Sequence, residues 1–330
     1  MRAKTTGKMI GGGILLLILL CGLSACIGSY PLSLPDILRV ISGNAAEEMG
    51  EKVFFTLRLP RVLMGVTAGA SLGLCGGVFQ LLFRNPLASP DLVGVASGAG
   101  AGAACGIVLG TGSMAMVMGG AFLGGMAALF GVFLLVWQSG NNRPGSYILG
   151  GILISALADA AIMLLKHGAD SEGKLAAIEF WTMGSLSSVT ASKTAGVLAL
   201  CIPCLALLIL FHREIVLLSL GDEQAGMLGL PAGKMRMLLL TLATLSVAGV
   251  ISATGVIAFV GLLAPHGAYL LLRRRNRAFL WMSMVSGAAL TVAADCFARS
   301  VTDGELPLSI FTTFCAAPFL FYFLKTAKSR

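Results

Sequence analysis

Two acidic residues lie within long apolar stretches of the sequence, where carboxylates are rare. Asp159 and Asp295 each interrupt a run of apolar residues. An ionised carboxylate inside a bilayer costs roughly 3 kcal/mol on insertion scales, so each needs a cavity or a partner. Arg299 follows Asp295 by four residues, and we expect a structural ion pair there rather than a proton relay. Asp159 has no basic residue three or four positions away, so it is predicted to line a pathway or to pair with another helix.

Two arginines precede the second apolar stretch at a spacing that brings them together. Arg58 and Arg61 are three positions apart, so on a helix they share one face. With both chain termini inside the cell, these two and Arg299 lie on the outer side of a membrane, where basic residues are scarce. Snorkelling of their side chains or contact with lipid headgroups is one explanation for them.

Two glycine-rich segments match nucleotide-binding loops by letter but lack the required context. Residues 98–103 fit a dinucleotide fingerprint, yet they lie in an apolar stretch rather than after a strand. Residues 229–234 resemble a phosphate-binding loop of shortened spacing, and Met235 stands where Ser or Thr is required. We therefore predict no ATP site on this chain, so a separate subunit must supply the energy of any ATP-driven transport.

The cysteines and histidines do not indicate a redox or metal centre. All eight cysteines lie in apolar runs, where a free thiol behaves as a small hydrophobe. Cys201 and Cys204 have the spacing of a redox motif without its polar surroundings. His167, His212 and His266 are far apart in the sequence. We predict no catalytic residue, no bound metal and no cofactor.

The composition is that of a membrane protein. Hydrophobic residues make up 57% of the 330 residues and charged residues 12%, against about a quarter charged in soluble domains. The net charge is +8, and the basic residues lie in short loops beside apolar runs. They therefore indicate the orientation of the helices in a membrane rather than nucleic-acid binding. The apolar runs lack the alternation of barrel strands, which predicts helices.

The apolar runs predict an all-α, polytopic membrane protein of about ten transmembrane helices, forming a single transmembrane domain over residues 1–330. The predicted spans are residues 9–29, 62–82, 92–110, 113–137, 147–165, 194–212, 236–254, 256–272, 278–298 and 306–324. Residues 237–272 would be about 54 Å long as one helix, against a bilayer core of about 30 Å. We therefore expect a break at residues 252–255.

Basic residues concentrate on one side of the predicted bundle. Ten spans place both termini on one side, and that side then holds most of the 23 lysines and arginines. The positive-inside rule therefore predicts that both termini are cytoplasmic. Residues 23–26 resemble a lipoprotein cleavage site, but a first transmembrane helix explains the same basic flank. We expect Cys26 to be neither cleaved nor lipidated.

Glycine placement predicts how the second and third spans pack. Two sets of glycines repeat every four residues: Gly65, Gly69, Gly73 and Gly77, then Gly94, Gly98, Gly102, Gly106 and Gly110. On a helix this spacing forms a stripe without side chains, along which another backbone can approach closely. We expect both spans to be buried among other helices.

A series of motifs resembles the iron-siderophore and cobalamin permease family of ABC importers, the FecCD type. In order, they are Arg58-Leu-Pro-Arg61, Gln80, Arg84-Asn-Pro-Leu-Ala-Ser-Pro90-Asp-Leu-Val-Gly94, Trp181-Thr-Met-Gly-Ser-Leu186, Ser219-Leu-Gly-Asp-Glu-Gln-Ala225 with Leu228-Gly-Leu230, Phe259-Val-Gly-Leu-Leu-Ala-Pro-His266, and Ala294-Asp295, Arg299 and Glu305-Leu-Pro307. The resemblance runs over nearly the whole chain in the family's order. Tyr269 departs from it, since an arginine is usual there, and Ser309 and Ala316 replace usual glycines.

The resemblance implies roles for particular residues. Arg58, Arg61 and Arg299 would form a basic platform that receives carboxylates of a substrate-binding protein. The cytoplasmic segment 213–234 would dock into the ATPase through a set of six residues: Leu218, Gly221, Asp222, Ala225, Leu228 and Gly229. Structural or pathway roles would fall to Asn85, Pro86, Asp159, Asp295, Pro265 and His266.

The resemblance also implies a location in a bacterial plasma (inner) membrane, and it implies partners. These are a pair of ATP-binding subunits, a second permease subunit of the same or a related sequence, and an extracellular or periplasmic binding protein. The implied cargo is an iron chelate, and ferric siderophore, haem and cobalamin all remain open. The alternative function is an ion-coupled secondary transporter driven through Asp159 and Asp295, although no repeat between the two halves of the chain supports it.

Overall fold

A computed structural model describes residues 2–28, 30–44, 48–110, 112–169, 173–301 and 304–327. The helices are α1 (Arg2–Cys26), α2 (Leu34–Ile41), α3 (Glu48–Val53), α4 (Leu59–Leu82), α5 (Val95–Val108), α6 (Met114–Ser139), α7 (Pro144–His167), α8 (Gly173–Thr182), α9 (Ala191–Leu210), α10 (His212–Leu220), α11 (Asp222–Met227), α12 (Ala232–Thr254), α13 (Val260–Leu272), α14 (Arg277–Ser300) and α15 (Leu308–Ala327). A π-helical turn, Phe54–Arg58, joins α3 to α4, and a 3₁₀ turn, Pro90–Val93, precedes α5. The described chain contains no strand, which confirms the all-α prediction.

Each of the ten predicted spans contains a helix, but the helices differ in length. Seven helical segments of the described chain are long and apolar enough to cross a membrane. The helices α5 and α13 have only 14 and 13 residues, fewer than the roughly 20 that a span needs. The predicted break at residues 252–255 is confirmed, because α12 ends at Thr254 and Gly255 has a φ of 70°. The lengths of the spans 92–110 and 256–272 were overestimated, because the end of a 3₁₀ turn occupies the start of the first and non-helical backbone occupies the start of the second.

The glycine stripes lie where helices cross most closely. A Cβ added at Gly69 of α4 would come within 2.2 Å of the Gly287 carbonyl oxygen on α14. One added at Gly102 of α5 would come within 1.9 Å of the Gly120 oxygen on α6. Both distances are far below van der Waals contact, so only glycine allows these backbones to touch. The predicted burial of the second and third spans is confirmed.

The bundle has two ends with different polar chemistry. At one end, Thr194 at the start of α9 donates a hydrogen bond to the Pro60 carbonyl at the start of α4. We call this the arginine end, since Arg58, Arg61 and Arg299 lie there. At the other end, Arg236 at the start of α12 donates to the carbonyl of Asn142, which precedes α7. We call this the α10–α11 end, after the two short helices that it carries.

Candidate functional sites at the two ends of the bundle

Asp295 is the centre of an ion-pair network at the arginine end. Arg299 Nη2 lies 2.9 Å from Asp295 Oδ2, one turn along α14, which confirms the predicted pair. Arg61 Nη2 on α4 lies 2.8 Å from Asp295 Oδ1, and Arg61 Nη1 lies 2.7 Å from Glu305 Oε1. The Asp295 side chain is 3% exposed and that of Glu305 is 36% exposed. The buried Asp295 carboxylate therefore pairs with both Arg61 and Arg299. The more exposed Glu305 carboxylate pairs with Arg61 as well.

Arginines at the same end also form hydrogen bonds with residues at and just after the end of α1. Arg299 donates to the Ile27 carbonyl at 2.8 Å and to Ser24 Oγ at 2.8 Å, at the C-terminal end of α1. Arg58 donates to the Tyr30 carbonyl at 3.2 Å. Carbonyl groups at a helix C-terminus lack partners within the helix, so guanidinium donors there satisfy them. The C-terminal end of α1 is thus held to α14 by Arg299.

The three arginines of the predicted docking platform come together, although they are not freely exposed. The Arg299 side chain is 5% exposed and that of Arg61 is 13% exposed, while Arg58 is buried as well. The pairing of Arg61 within the chain was missed, since no spacing in the sequence connects Arg61 with Asp295 or Glu305. The docking role itself stays a prediction.

The α10–α11 end contains a buried arginine that orders the short helices. Arg236 is fully buried and donates through both terminal nitrogens to Asp222, the first residue of α11. Its Nη1 also donates to the Asn142 carbonyl at 2.9 Å, and its guanidinium lies 6.0 Å from the centre of the Tyr147 ring. This side chain therefore connects α11, α12 and the loop before α7. These contacts were not predicted, because residues 142, 222 and 236 have no helical spacing in the sequence that connects them.

The six predicted coupling residues divide into a buried set and an exposed set. Leu218 and Ala225 are fully buried, and Gly221 between the two short helices has a φ of 129° that other residues rarely adopt. Leu228 is 65% exposed, beside Met227 at 79% exposed. Leu220 is exposed as well. We name Leu220, Met227 and Leu228 the apolar patch of the α10–α11 end.

Asn85 and Pro86 form the turn that ends α4. The Leu87 N–H donates to Asn85 Oδ1 at 2.9 Å, and the Ala88 N–H donates to the Asn85 carbonyl at 3.1 Å. Proline fits the second position of such a turn, because its fixed φ matches the turn geometry. The turn lies at the α10–α11 end, since a Cβ added at Gly221 would be 3.3 Å from Arg84 Nη1. The motif therefore has a structural explanation.

Pro265 and His266 lie in the buried helix α13. A proline in a helix cannot donate to the carbonyl four residues earlier, which here belongs to Gly261. That carbonyl lies against α4, where a Cβ added at Gly76 would come within 1.8 Å. His266 Nδ1 lies 2.8 Å from the Leu262 carbonyl oxygen and 3.3 Å from Gln80 Nε2. Two quoted motifs thus meet at the contact between α4 and α13.

Asp159 lies on an exposed apolar face of α7. Its neighbours Leu157 and Met163 are also exposed, and only 11% of the most apolar window of this helix is buried. A carboxylate facing lipid is costly, so this face requires a protein partner or an aqueous cavity. The pathway role of Asp159 stays a prediction.

Known proteins match this chain along nearly its whole length. The chain is 33% identical to the molybdate import system permease protein MolB of Haemophilus influenzae, over 96% of this chain and 95% of that one. It is 33% identical to the hemin transport system permease protein HmuU of Yersinia pestis, over 98% and 97%. A solved inward-facing conformation of a putative metal-chelate type ABC transporter matches with a TM-score of 0.89 at 32% identity, covering 97% of this chain and 99% of that one.

The model of the FecCD transport family matches residues 15–326. Together with the relatives, this match identifies the chain as a membrane permease subunit of an ABC importer, in which ATP is hydrolysed by a separate subunit. The chain belongs to the FecCD transport family.

Proposed function

We propose that this permease carries an iron chelate into the cytoplasm, such as a ferric siderophore or haem, or else the related compound cobalamin. The observation that carries the proposal is the match over 97% of the chain to a metal-chelate type ABC transporter. The hemin permease HmuU supports the same chemical class at 33% identity. In this proposal the chain is one transmembrane domain, with residues 213–234 as its coupling segment.

Competitive uptake tests the substrate class. Proteoliposomes containing the whole transporter and its binding protein would be supplied with ATP and a radiolabelled ferric siderophore. Unlabelled haem, cobalamin and molybdate would then be added as competitors. Uptake of the labelled chelate, unaffected by molybdate, is the expected result. ATP-dependent uptake of molybdate without uptake of any chelate would refute the proposal, and the 33% identity to MolB makes this the relevant comparison.

We further propose that two surfaces receive the other membrane-associated subunits. The apolar patch of Leu220, Met227 and Leu228 would contact the ATPase, because exposed large apolar side chains at a polar end of a bundle are typical of protein contacts. The exposed face of α7 would contact the second permease subunit, which would place Asp159 in a shared pathway away from lipid. This arrangement supports transport without a proton relay.

We propose a plasma-membrane location with both termini cytoplasmic, and this orientation predicts an intact N-terminus. The contacts of Arg299 with Ser24 and Ile27 support a structural role for α1 in the mature protein. We therefore expect the intact mass of the purified protein to include Cys26 without added lipid. Loss of the first 25 residues together with a lipid adduct would contradict the prediction. A cysteine-reactive label applied to intact cells would test the orientation separately.

The docking proposal for Arg58, Arg61 and Arg299 now predicts a modest, salt-dependent effect. Three guanidinium groups face two carboxylates in this cluster, so one net positive charge remains for an acidic partner. Arg58 is the suitable probe, since its hydrogen bond is to a carbonyl and not to a carboxylate. We expect Arg58→Gln to slow association of the binding protein about twofold to fivefold at low salt.

The measurement is the association rate as a function of ionic strength, because screening over about 8 Å removes such steering at physiological salt. Lys52→Gln is the matched control, since Lys52 is an exposed cation in α3, the helix that leads to Arg58. Equal rates for Arg58→Gln and the wild type at low salt would overturn the docking proposal.

A further inference from the structure

A groove lies on the outside of the bundle between α6 and α9, with α12 as its floor. Its volume is about 400 Å³, within the roughly 300–1,000 Å³ typical of ligand sites. Met118 and Phe122 of α6 form one wall, Val197 and Leu200 of α9 form the other, and Gly249 of α12 lies beneath. The lining is therefore mostly apolar.

The groove is open at the outer surface of the bundle. Gly196 in its wall is exposed, and a Cβ added there would meet no other atom within 4 Å. Both bounding helices expose large apolar side chains nearby, including Leu123 of α6 and Ile202 of α9. The groove thus opens onto the same apolar environment as the outer faces of these helices.

One end of the groove carries a cation. Lys193 lines it one turn before Gly196, and its Nζ donates to the Ser188 carbonyl at 2.6 Å. An ammonium group has three donors, so this hydrogen bond leaves capacity for an anion. Among the described residues, no carboxylate lies within ion-pairing distance of Lys193.

The length of the groove along α9 fits within one leaflet of a bilayer. Lys193 and Leu200 are seven residues apart on α9, which corresponds to about 10 Å along the helix. One leaflet of the hydrocarbon core is about 15 Å deep. Lys193 belongs to the first turn of α9, so with α9 as a transmembrane span it would lie where headgroups meet the apolar core, with the groove extending inward from it.

We propose that this groove binds an anionic phospholipid, with an acyl chain against Met118, Phe122 and Leu200 and the headgroup phosphate on Lys193. The apolar lining suits a hydrocarbon chain, and the cation at the membrane boundary suits the phosphate. A soluble anion would use only Lys193 and would leave the apolar walls unfilled. A lipid uses both parts of the site.

Lipid titration of the complete transporter tests the proposal. The delipidated complex of both permeases and the ATPases, in detergent, would be titrated with dioleoyl phosphatidylglycerol, and native mass spectrometry would count the bound lipids. Two variants probe the two parts of the site. Lys193→Gln removes the cation and is expected to weaken binding about fivefold. Gly196→Leu fills the groove and is expected to abolish the same binding event.

Matched controls separate the site from general lipid association. Lys52→Gln removes an exposed cation elsewhere, and Gly119→Leu adds a side chain on α6 at a glycine that also has open space around it. Both controls are expected to titrate like the wild type. Glycerol phosphate, the headgroup moiety without acyl chains, is expected to compete weakly.

Three outcomes would overturn the proposal. The first is wild-type titration by both Lys193→Gln and Gly196→Leu. The second is competition by glycerol phosphate as effective as that by the lipid, which would indicate a simple anion site. The third is the absence of this binding event in the complete complex, which would indicate that another subunit covers the groove.

Discussion

Replacing Asp295 with asparagine is expected to destabilise the folded permease by about 3–5 kcal/mol, the largest single effect on stability that we predict. The change leaves the volume of the side chain nearly unaltered but removes the negative charge between Arg61 and Arg299. Arg299 is almost fully buried and would lose the carboxylate with which it pairs, while Arg61 would keep only its pair with the partly exposed Glu305. Breaking one partner of a buried pair costs more than the pair contributes, because a desolvated charge remains.

The thermal unfolding midpoint of the detergent-solubilised protein, followed by size-exclusion chromatography of heated samples, measures this effect. Glu305→Gln is the matched control, since Glu305 also binds Arg61 but is 36% exposed. Pairs near solvent contribute roughly 0–1 kcal/mol, so this variant should unfold close to the wild-type temperature. An Asp295→Asn protein that unfolds with the wild type would show that the network does not stabilise the bundle.

Leu228→Glu is expected to abolish ATP-dependent uptake while the permease still inserts and folds. Leu228 is 65% exposed in the apolar patch of the α10–α11 end, so a carboxylate there costs the isolated chain little. At an ATPase contact the same carboxylate would be buried without a partner. Loss of an interface anchor costs about 2 kcal/mol or more, which weakens association roughly thirtyfold.

Co-purification of the ATPase with the permease, together with uptake in proteoliposomes, measures this prediction. Gln224→Glu is the matched control, because Gln224 is an exposed residue of α11 and gains the same charge without loss of an apolar side chain. Uptake by the control should be near the wild-type rate. If Leu228→Glu retains both the ATPase and full uptake, the apolar patch is not the coupling surface.

Gly221 offers a second, independent test of the same segment. Its φ of 129° is one that other residues rarely adopt, and an added Cβ would be 3.3 Å from Arg84 Nη1. A bulky residue at this position should therefore misplace α11 relative to α10. We expect loss of uptake from Gly221→Leu, with insertion retained. Unimpaired uptake would indicate that the geometry of the turn does not matter for coupling.

Helix positions could be predicted from the sequence because each depends on neighbouring residues. The ten apolar runs all contain helices, and the break at residues 252–255 followed from a length that exceeded the bilayer. The close approach of another backbone to α4 followed from glycines at every fourth position, although the sequence did not indicate that the partner is α14. The pair between Asp295 and Arg299 followed from their spacing of one helical turn.

Only the tertiary structure decided which distant residues meet. Arg61 and Asp295 are separated by 234 positions, and Gln80 and His266 by 186. No local spacing encodes either contact, since each depends on which helices pack together and at what depth. The same holds for the complete burial of Arg236, whose contacts with Asp222 and with the Asn142 carbonyl connect three elements. The short lengths of α5 and α13 could not be predicted from the sequence either, because an apolar run has the same composition whether it crosses a membrane or is enclosed by other helices.

The amino-acid sequence therefore determined the helices and their close-packing faces through local chemistry. The burial of the arginines depended on the assembled bundle that surrounds them.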